Sequence, residues 1–185
     1  KSRSPRRAKR APSSQASPGH TKPPTFVIWA KDRFTLGRSD YQRQYEPILY
    51  GWPEHAKRHW CGDRDQGDVW QITRPHKNDL HPTMKPVALV ERVIRNSSRR
   101  GDLVFDPFGG SGTTLIAAEV TGRRAALLEL DPKYVDVIVQ RWQQFTGREA
   151  QLADAGRTFA EEAEFRQMPH MQQASPSSSI AAATP

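Results

Sequence analysis

The fold of this chain is decided by the stretch DPFGGSGTT at residues 106–114. An acid and a proline precede a glycine cluster, which runs directly into the apolar segment LIAAEV at 115–120. Glycines at such a position permit a tight turn and allow a ligand to approach the backbone closely. The stretch is therefore either a cofactor-binding loop or a plain strand-to-helix turn.

The segments on both sides of the glycine cluster predict a βαβ unit. Its strands are DLVFD at 102–106 and RAALLEL at 124–130, and its helix runs from 112 to 122. Continuous apolar runs of this kind are typical of parallel strands that are buried on both faces. Asp131 and Pro132 then predict the start of a further helix, which runs to about Phe145.

Upstream of this unit, the pattern predicts three short strands followed by a helix. The strands are FVIWA at 26–30, PILYGW at 47–52 and DVWQI at 68–72, and Pro86 opens the helix PVALVERVIRNSS. From that helix onward the order is helix, strand, glycine loop, helix, strand, helix. This order predicts half of a doubly wound α/β domain, whose ligands bind at the carboxyl ends of the strands.

A second residue favours a cofactor at the glycine loop. Glu129 ends the next predicted strand, 19 residues after Gly110, where an acid is expected to bind ribose hydroxyls. Leu115 stands where the third glycine of G-x-G-x-x-G would be, and no Gly-Lys-Ser/Thr follows. The sequence therefore favours a ribose-bearing cofactor that is neither a dinucleotide nor ATP, and a ligand-free turn stays the alternative.

The charge of the chain is concentrated at its beginning. Of the net charge of +8 over 185 residues, +6 falls in the first ten, which leaves +2 for the rest. The Ser- and Pro-rich segment 1–24 is predicted to be a disordered basic leader, either solvated or bound to nucleic acid. With one cysteine, Cys61, no disulfide and no metal site is predicted. No apolar run approaches ~18 residues, so we expect a cytoplasmic location.

Three segments in order resemble the amino-group DNA methyltransferases, and most of all the adenine-type enzymes. They are FVIWAKDRFTLGRSDYQRQYEPILYGW at 26–52, HPTMKP at 81–86, and DPFGGSGTT followed by LLELDPKYVDVIVQRWQQFTG at 127–147. This order is similar to that of the β-type members. The resemblance implies a partial Rossmann-like, S-adenosylmethionine-dependent methyltransferase fold over 25–150, followed by a short helix and a disordered tail at 151–185.

The same resemblance implies S-adenosylmethionine as the cofactor and a set of residues that contact it. The loop residues would surround its methionine and adenosine portions, Glu129 would bind the ribose hydroxyls, and Lys85 would pair with the carboxylate. Alternatively, Lys85 and Thr83 simply precede and cap a helix, and His81 is a surface residue. The implied set comprises His81, Thr83, Lys85, Asp106, Phe108, Gly110, Gly112, Thr113 and Glu129.

The family's substrate is double-stranded DNA, and the segment 52–80 is a candidate target-recognition loop. Its basic residues Lys57, Arg58 and Arg64 alternate with tryptophans, which suits contact with DNA and with a flipped base. An irregular surface loop with some buried tryptophans is the alternative interpretation.

The family also has a catalytic motif, in which Asp, Asn or Ser precedes Pro-Pro and an aromatic residue. The nearest string here is KPPT at 22–25, where a lysine cannot accept hydrogen bonds from the target amine. We therefore expect the carboxyl-terminal portion of a DNA methyltransferase, inactive alone, whose catalytic segment lies upstream or on another chain. A catalytically dead remnant that binds S-adenosylmethionine or DNA is the alternative, and an RNA or small-molecule methyltransferase is less favoured.

Overall fold

The computed structural model describes residues 25–74 and 84–167. The leader 1–24, the predicted cofactor residues His81 and Thr83, and the tail 168–185 lie outside these ranges. The strands are β1 Thr25–Ala30, β2 Tyr45–Tyr50, β3 Val69–Gln71, β4 Leu103–Asp106 and β5 Arg124–Leu127, and the helices are α1 Val87–Ser97, α2 Thr113–Thr121, α3 Pro132–Thr146 and α4 Phe159–Gln167.

The predicted strands and helices are confirmed, with ends that differ by one to three residues, most of all in β2 and β5. β2 begins at Tyr45 and ends before Gly51, and β5 ends at Leu127 rather than residue 130. β5 stops early because its partner β4 ends at Asp106, and the N–H of Phe108, which would continue the ladder, donates to the Asp106 carboxylate instead. The chain beyond β5 is thereby free to turn towards the glycine loop.

The strands form two sheets that share no hydrogen-bonded strand pair among the described residues. The first has the order β2-β1-β3, with β1 antiparallel to β2 and parallel to β3. The second is the parallel pair β4-β5, in the register Leu103↔Arg124 to Asp106↔Leu127. The βαβ unit predicted from 102–130 is therefore present.

The prediction that β4 and β5 are buried on both faces is wrong. Leu103 and Phe105 of β4 are 56% and 59% exposed, whereas Val104 packs against α1 and α2. Successive side chains of a strand point to opposite faces, and in the described parts of the chain the helices cover only one of them. The apolar runs of these strands therefore leave one open apolar face.

Helix α1 joins the two sheets, because its two sides pack into different apolar clusters. Leu89 packs with Trp29 of β1 and Trp70 of β3. Ile94 packs with Ala117 and Ala118 of α2. Lys85, two residues before α1, is thereby held between the first sheet and the glycine loop.

The ends of α2 and α3 follow their sequence signals. Gly112 and Gly122 flank α2 in left-handed conformations, with φ of 74° and 70°. At the start of α3, the side chain of Asp131 accepts a hydrogen bond from the N–H of Lys133, with Pro132 in the first turn. α3 is thereby fixed directly after the segment that contains Glu129.

The described residues include neither a membrane-spanning helix nor a metal-ligand cluster. None of the helices found there is long and apolar enough to cross a membrane. Within 25–74 and 84–167, no group of three or more His, Cys, Asp or Glu side chains could hold a metal ion.

Candidate cofactor site

The glycine loop lies at the carboxyl end of β4, between this strand and α2. Asp106, the last residue of β4, folds the loop back on itself. Its Oδ1 accepts a hydrogen bond from the N–H of Phe108 at 3.0 Å, and its Oδ2 accepts one from the Thr114 hydroxyl at 2.6 Å. One carboxylate thus joins the start of the loop to the first turn of α2.

The glycines let the loop pack closely on α3. A Cβ at Gly109 would lie 3.0 Å from Ile138 Cδ1, and one at Gly112 would lie 3.1 Å from Ile138 Cγ2. Gly110 and Gly112 also have φ values of 52° and 74°, which residues with a Cβ rarely adopt. The loop shape therefore depends on glycine for contact with α3 as well as for its turn.

Glu129 binds the loop from the segment that follows β5. Its Oε2 accepts a hydrogen bond from the N–H of Gly110 at 2.6 Å, and its Oε1 accepts from the N–H groups of Leu130 and Asp131 at 2.9 and 3.1 Å. The half-buried carboxylate thus joins the glycine loop to the start of α3.

The backbone amides of the loop are used within the chain. Those of Phe108 and Gly110 donate to the carboxylates of Asp106 and Glu129, and those of Gly109 and Gly112 donate to the carbonyls of Leu128 and Gly109 at 2.8 Å. A phosphate site needs several convergent N–H groups that are free to donate. The four amides therefore fit a ligand without phosphate better than a nucleotide.

A hydroxyl at the start of α2 joins the loop to the segment before α1. The buried Thr113 Oγ1 donates to the carbonyl of Lys85 at 3.3 Å. The guanidinium of Arg141 on α3 donates to Thr113 Oγ1 at 3.1 Å and to the carbonyl of Ser111 at 2.9 Å. Burial lowers the pKa of Arg141 below its ordinary value. Arg141 thus holds the loop against α3.

The side chain of Lys85 forms an ion pair with a strand of the first sheet. Its Nζ lies 2.9 Å from Oε2 of Glu46 on β2. Burial alone would raise the pKa of Glu46, but hydrogen bonds from Lys31 and Lys85 and the charges of both lysines lower it below its ordinary value of 4.5. Glu46 is therefore ionised at neutral pH, and Lys85 stands beside the loop as a paired cation.

The glycine loop lies within a segment that matches a known protein family. The family model for DNA methylase, of the N6/N4 methyltransferase kind, matches residues 14–140, which is most of the chain. The chain belongs to the DNA methylase family. The predicted resemblance to amino-group DNA methyltransferases and the partial α/β methyltransferase fold are thereby confirmed.

Known methylases resemble this chain over part of their length. The type II methyltransferase M2.MboI of Moraxella bovis is 34% identical over 125 residues, which is 65% of this chain and 41% of that protein. The DNA adenine methyltransferase YhdJ of Escherichia coli (strain K12) is 39% identical over 79 residues, or 40% of this chain and 27% of YhdJ. The crystal structure of the M1.HpyAVI–SAM complex superposes with a TM-score of 0.57 at 26% identity, over 64% of this chain and 61% of that chain. This methylase chain thus spans about two fifths of M2.MboI.

The fold brings most of the predicted cofactor residues to one edge of the second sheet. Asp106, Gly110, Gly112 and Thr113 form the loop, Glu129 lies across it, and Lys85 is bonded to its far end. Phe108 projects from the loop and is 85% exposed. The roles of these residues in binding a cofactor stay predictions, as do those of His81 and Thr83.

The predicted DNA-binding residues lie elsewhere in the methylase. Arg58 packs over the rings of Tyr50, Trp52 and Trp60, with its Cζ 5.1–6.0 Å from their centroids. Tyr50 pairs with Thr25 at one end of the β1–β2 ladder, four residues from Glu46, or about 13 Å along the strand. Lys57 and Arg64 are exposed in the same loop. DNA contact by these three residues stays a prediction, on a surface at the opposite end of the first sheet from Lys85.

Sequence reasoning missed Glu46 and Arg141. Each carried a signal, because Glu46 is the only charged residue in the strand segment YEPILY, and Arg141 follows the buried Ile138 by three residues on α3. A charge in an apolar strand, or beside a buried helix position, requires a polar partner. The partner of each comes from a distant segment, which the sequence did not reveal.

Proposed function

We propose that this chain binds S-adenosylmethionine as the cofactor-binding part of a DNA methyltransferase that acts on the exocyclic amine of adenine. The observation that carries the proposal is the hydrogen bond from Gly110 to Glu129, which places a glycine loop and an acid at the carboxyl ends of adjacent parallel strands. The M1.HpyAVI–SAM complex supports the cofactor, and the adenine methyltransferase YhdJ supports the base.

The residues at the loop fit the chemistry of this cofactor. Lys85 supplies a cation for its carboxylate, and Glu129 supplies an acidic acceptor at the loop for a ribose hydroxyl. The exposed side chains of Phe108 and Leu130 offer apolar surface at the loop for the adenine. With no phosphate in the ligand, the internal bonding of the loop amides costs nothing in affinity.

The chain's own residues would bind and orient rather than exchange protons. S-adenosylmethionine supplies an electrophilic methyl group on a sulfonium. Transfer forms a bond from the amine nitrogen to this methyl carbon, the bond from carbon to sulfur breaks with its electron pair left on sulfur, and the surplus amine proton passes to solvent. Lys85 and Glu129 would hold the two ends of the cofactor, so that the loop presents the sulfonium in a fixed place.

We further propose that another segment, of the same polypeptide or of a second one, presents the base. In the described ranges β4 pairs with β5 alone, so its other edge has no strand, and Leu103 and Phe105 expose apolar surface beside it. An added strand would satisfy this edge, and the helix that connects it would cover the open face. Such an assembly would methylate double-stranded DNA in a restriction-modification setting, as the type II relative M2.MboI suggests.

A second candidate is a protein that binds the cofactor or DNA without transferring the methyl group. The observation that favours it is the sequence itself, in which no Asp, Asn or Ser precedes a Pro-Pro-aromatic motif. This candidate and the first share the cofactor site and differ only in whether a base can be held in front of it.

Two measurements test these candidates. Titration calorimetry of the 185-residue chain with S-adenosylmethionine should show one binding site, and the absence of binding would refute the enzyme and the cofactor-binding form of the second candidate. Incubation with labelled cofactor and double-stranded DNA then tests transfer. Labelled N6-methyladenine would support the enzyme, N4-methylcytosine would contradict the choice of adenine, and binding without transfer would support the second candidate or a site that another segment completes.

A further inference from the structure

Glu46 lies between two lysines, above a buried tryptophan. Its Oε1 is 2.7 Å from Lys31 Nζ, and its Oε2 is 2.9 Å from Lys85 Nζ. Both ammonium groups also lie over the indole ring of Trp29, at 5.2 and 5.9 Å from its centroid. One carboxylate and one aromatic face therefore fix the positions of two cations.

The platform under these charges is rigid. Trp29 is 2% exposed, and its Nε1 donates to the carbonyl of Ile72 at 2.7 Å, which fixes the plane of the ring. Glu46 is the β2 residue directly opposite Trp29 in the antiparallel ladder, so backbone pairing fixes the position of Glu46 relative to the Trp29 ring. The Lys31 side chain is only 12% exposed, which limits its alternatives to Glu46.

The charge balance leaves room for one more anion. Two lysines and one glutamate sum to +1, and the Lys85 side chain is still 43% exposed. The backbone of Lys85 is also fixed, because its carbonyl accepts the hydrogen bond from Thr113 at the start of α2. A ligand carboxylate beside Lys85 would bring the net charge of this cluster to zero, with two cations and two anions in alternation.

We propose that Glu46 is a positioning residue that holds the Lys85 ammonium at the cofactor loop, ready to meet the carboxylate of S-adenosylmethionine. This inference rests on the proposed function. Without Glu46, the like charges of Lys31 and Lys85 would repel each other, and the Lys85 side chain would lose its anchor. The cofactor would then bear the entropic cost of ordering Lys85 when it binds.

The test compares two ligands that differ at the amino-acid end. S-adenosylmethionine carries the carboxylate, and methylthioadenosine keeps the nucleoside and sulfur without it. Calorimetry on the full chain gives both dissociation constants for the parent, Glu46→Gln, Lys85→Met and the double variant. Glu91→Gln is the matched control, because it removes an exposed ion pair with Arg95 on α1, away from the loop. Glu46→Asp tests rescue of the charge, should the amide variant fold poorly.

A positioning role predicts a selective effect. Glu46→Gln should weaken S-adenosylmethionine binding by roughly tenfold, the loss expected for one charge-assisted hydrogen bond, and change methylthioadenosine binding by less than about twofold. In the Lys85→Met background, Glu46→Gln should have no further effect, and Glu46→Asp should restore part of the affinity.

Three results would overturn the inference. If Glu46→Gln weakens the binding of both ligands equally, Glu46 has a structural role only. If Glu46→Gln weakens S-adenosylmethionine binding as much in the Lys85→Met background as in the parent, Glu46 does not act through Lys85. If Glu46→Gln binds S-adenosylmethionine more tightly than the parent, Glu46 competes with the ligand for Lys85. A parent chain that binds neither ligand would refute the proposed function itself, which is a distinguishable failure.

Discussion

Glu129→Gln is the perturbation for which the structure gives the clearest magnitude. The carboxylate accepts three backbone hydrogen bonds, one from the loop and two from the segment that leads into α3. An amide has one acceptor oxygen and one NH₂ group, so in either orientation at least one of the three donors faces another donor. A hydrogen bond to a charged group contributes about 1.5–3 kcal/mol. Because Glu129 is half-buried and water can reach it, we expect the free energy of unfolding to fall by about 2 kcal/mol.

The assay separates this loss of stability from loss of ligand affinity. Urea unfolding of the parent and of Glu129→Gln gives the first, and calorimetry with S-adenosylmethionine below the unfolding transition gives the second. We expect binding to weaken by at least about tenfold, because the loop loses its link to β5 and the ribose loses an acceptor. Glu119→Gln is the matched control, since Glu119 is an α2 acid bonded to Trp142 and Arg148 and remote from the loop.

The reasoning would be refuted by a silent variant. If Glu129→Gln changes the free energy of unfolding by less than about 0.5 kcal/mol, as an ordinary surface substitution does, the three hydrogen bonds do not hold the loop. If the stability falls and the affinity does not, Glu129 organises the loop without contacting the ligand. If Glu119→Gln weakens ligand binding as much, the effect is not specific to Glu129.

Three further predictions concern the same loop and its supports. Gly112→Ala should lower the free energy of unfolding, measured in urea, by about 2–3 kcal/mol, because Gly112 has a φ of 74° and an added Cβ would lie 3.1 Å from Ile138. Gly101→Ala is the control, because Gly101 has a φ of 84° but no atom near an added Cβ, and it should lower the free energy of unfolding by only about 1 kcal/mol. Arg141→Met removes three hydrogen bonds to the loop and should lower the melting temperature and weaken cofactor binding together; an effect on the melting temperature alone would contradict a role at the site. Because the pKa of Glu46 is lowered in the folded state, its ionised carboxylate stabilises the fold. This stabilisation is complete above about pH 4.5 and disappears as the pH falls through the folded-state pKa. The parent and Glu46→Gln should therefore converge in stability only in acid, and convergence at pH 6 would disprove this ion pair.

Local signals predicted the elements near the loop well. Pro86 before α1, Gly112 and Gly122 at the ends of α2, and Asp131 with Pro132 at the start of α3 each act through backbone geometry or one short-range hydrogen bond. Such constraints need no distant partner, so residue type alone fixes them.

Burial was predicted less well, because it depends on what covers a surface. The apolar runs of β4 and β5 indicated strands covered on both faces. The side chains of Leu103 and Phe105 are nevertheless exposed, so one face of β4 is open. Periodicity identifies a side chain that can be buried; only packed neighbours decide whether it is. The helices that cover the other face are brought there by the packing of α1 on α2.

The sequence by itself determined the glycine loop, the acid after the next strand and the family, since these lie in contiguous stretches whose residue types suit one turn and one ligand chemistry. Only the tertiary structure decided that Glu129 binds Gly110 through its carboxylate, that Arg141 holds Thr113 from α3, and that Glu46 pairs with Lys85. Hydrogen bonds and ion pairs act over about 3 Å in space, whatever the separation along the chain, so they are set by how the strands and helices pack.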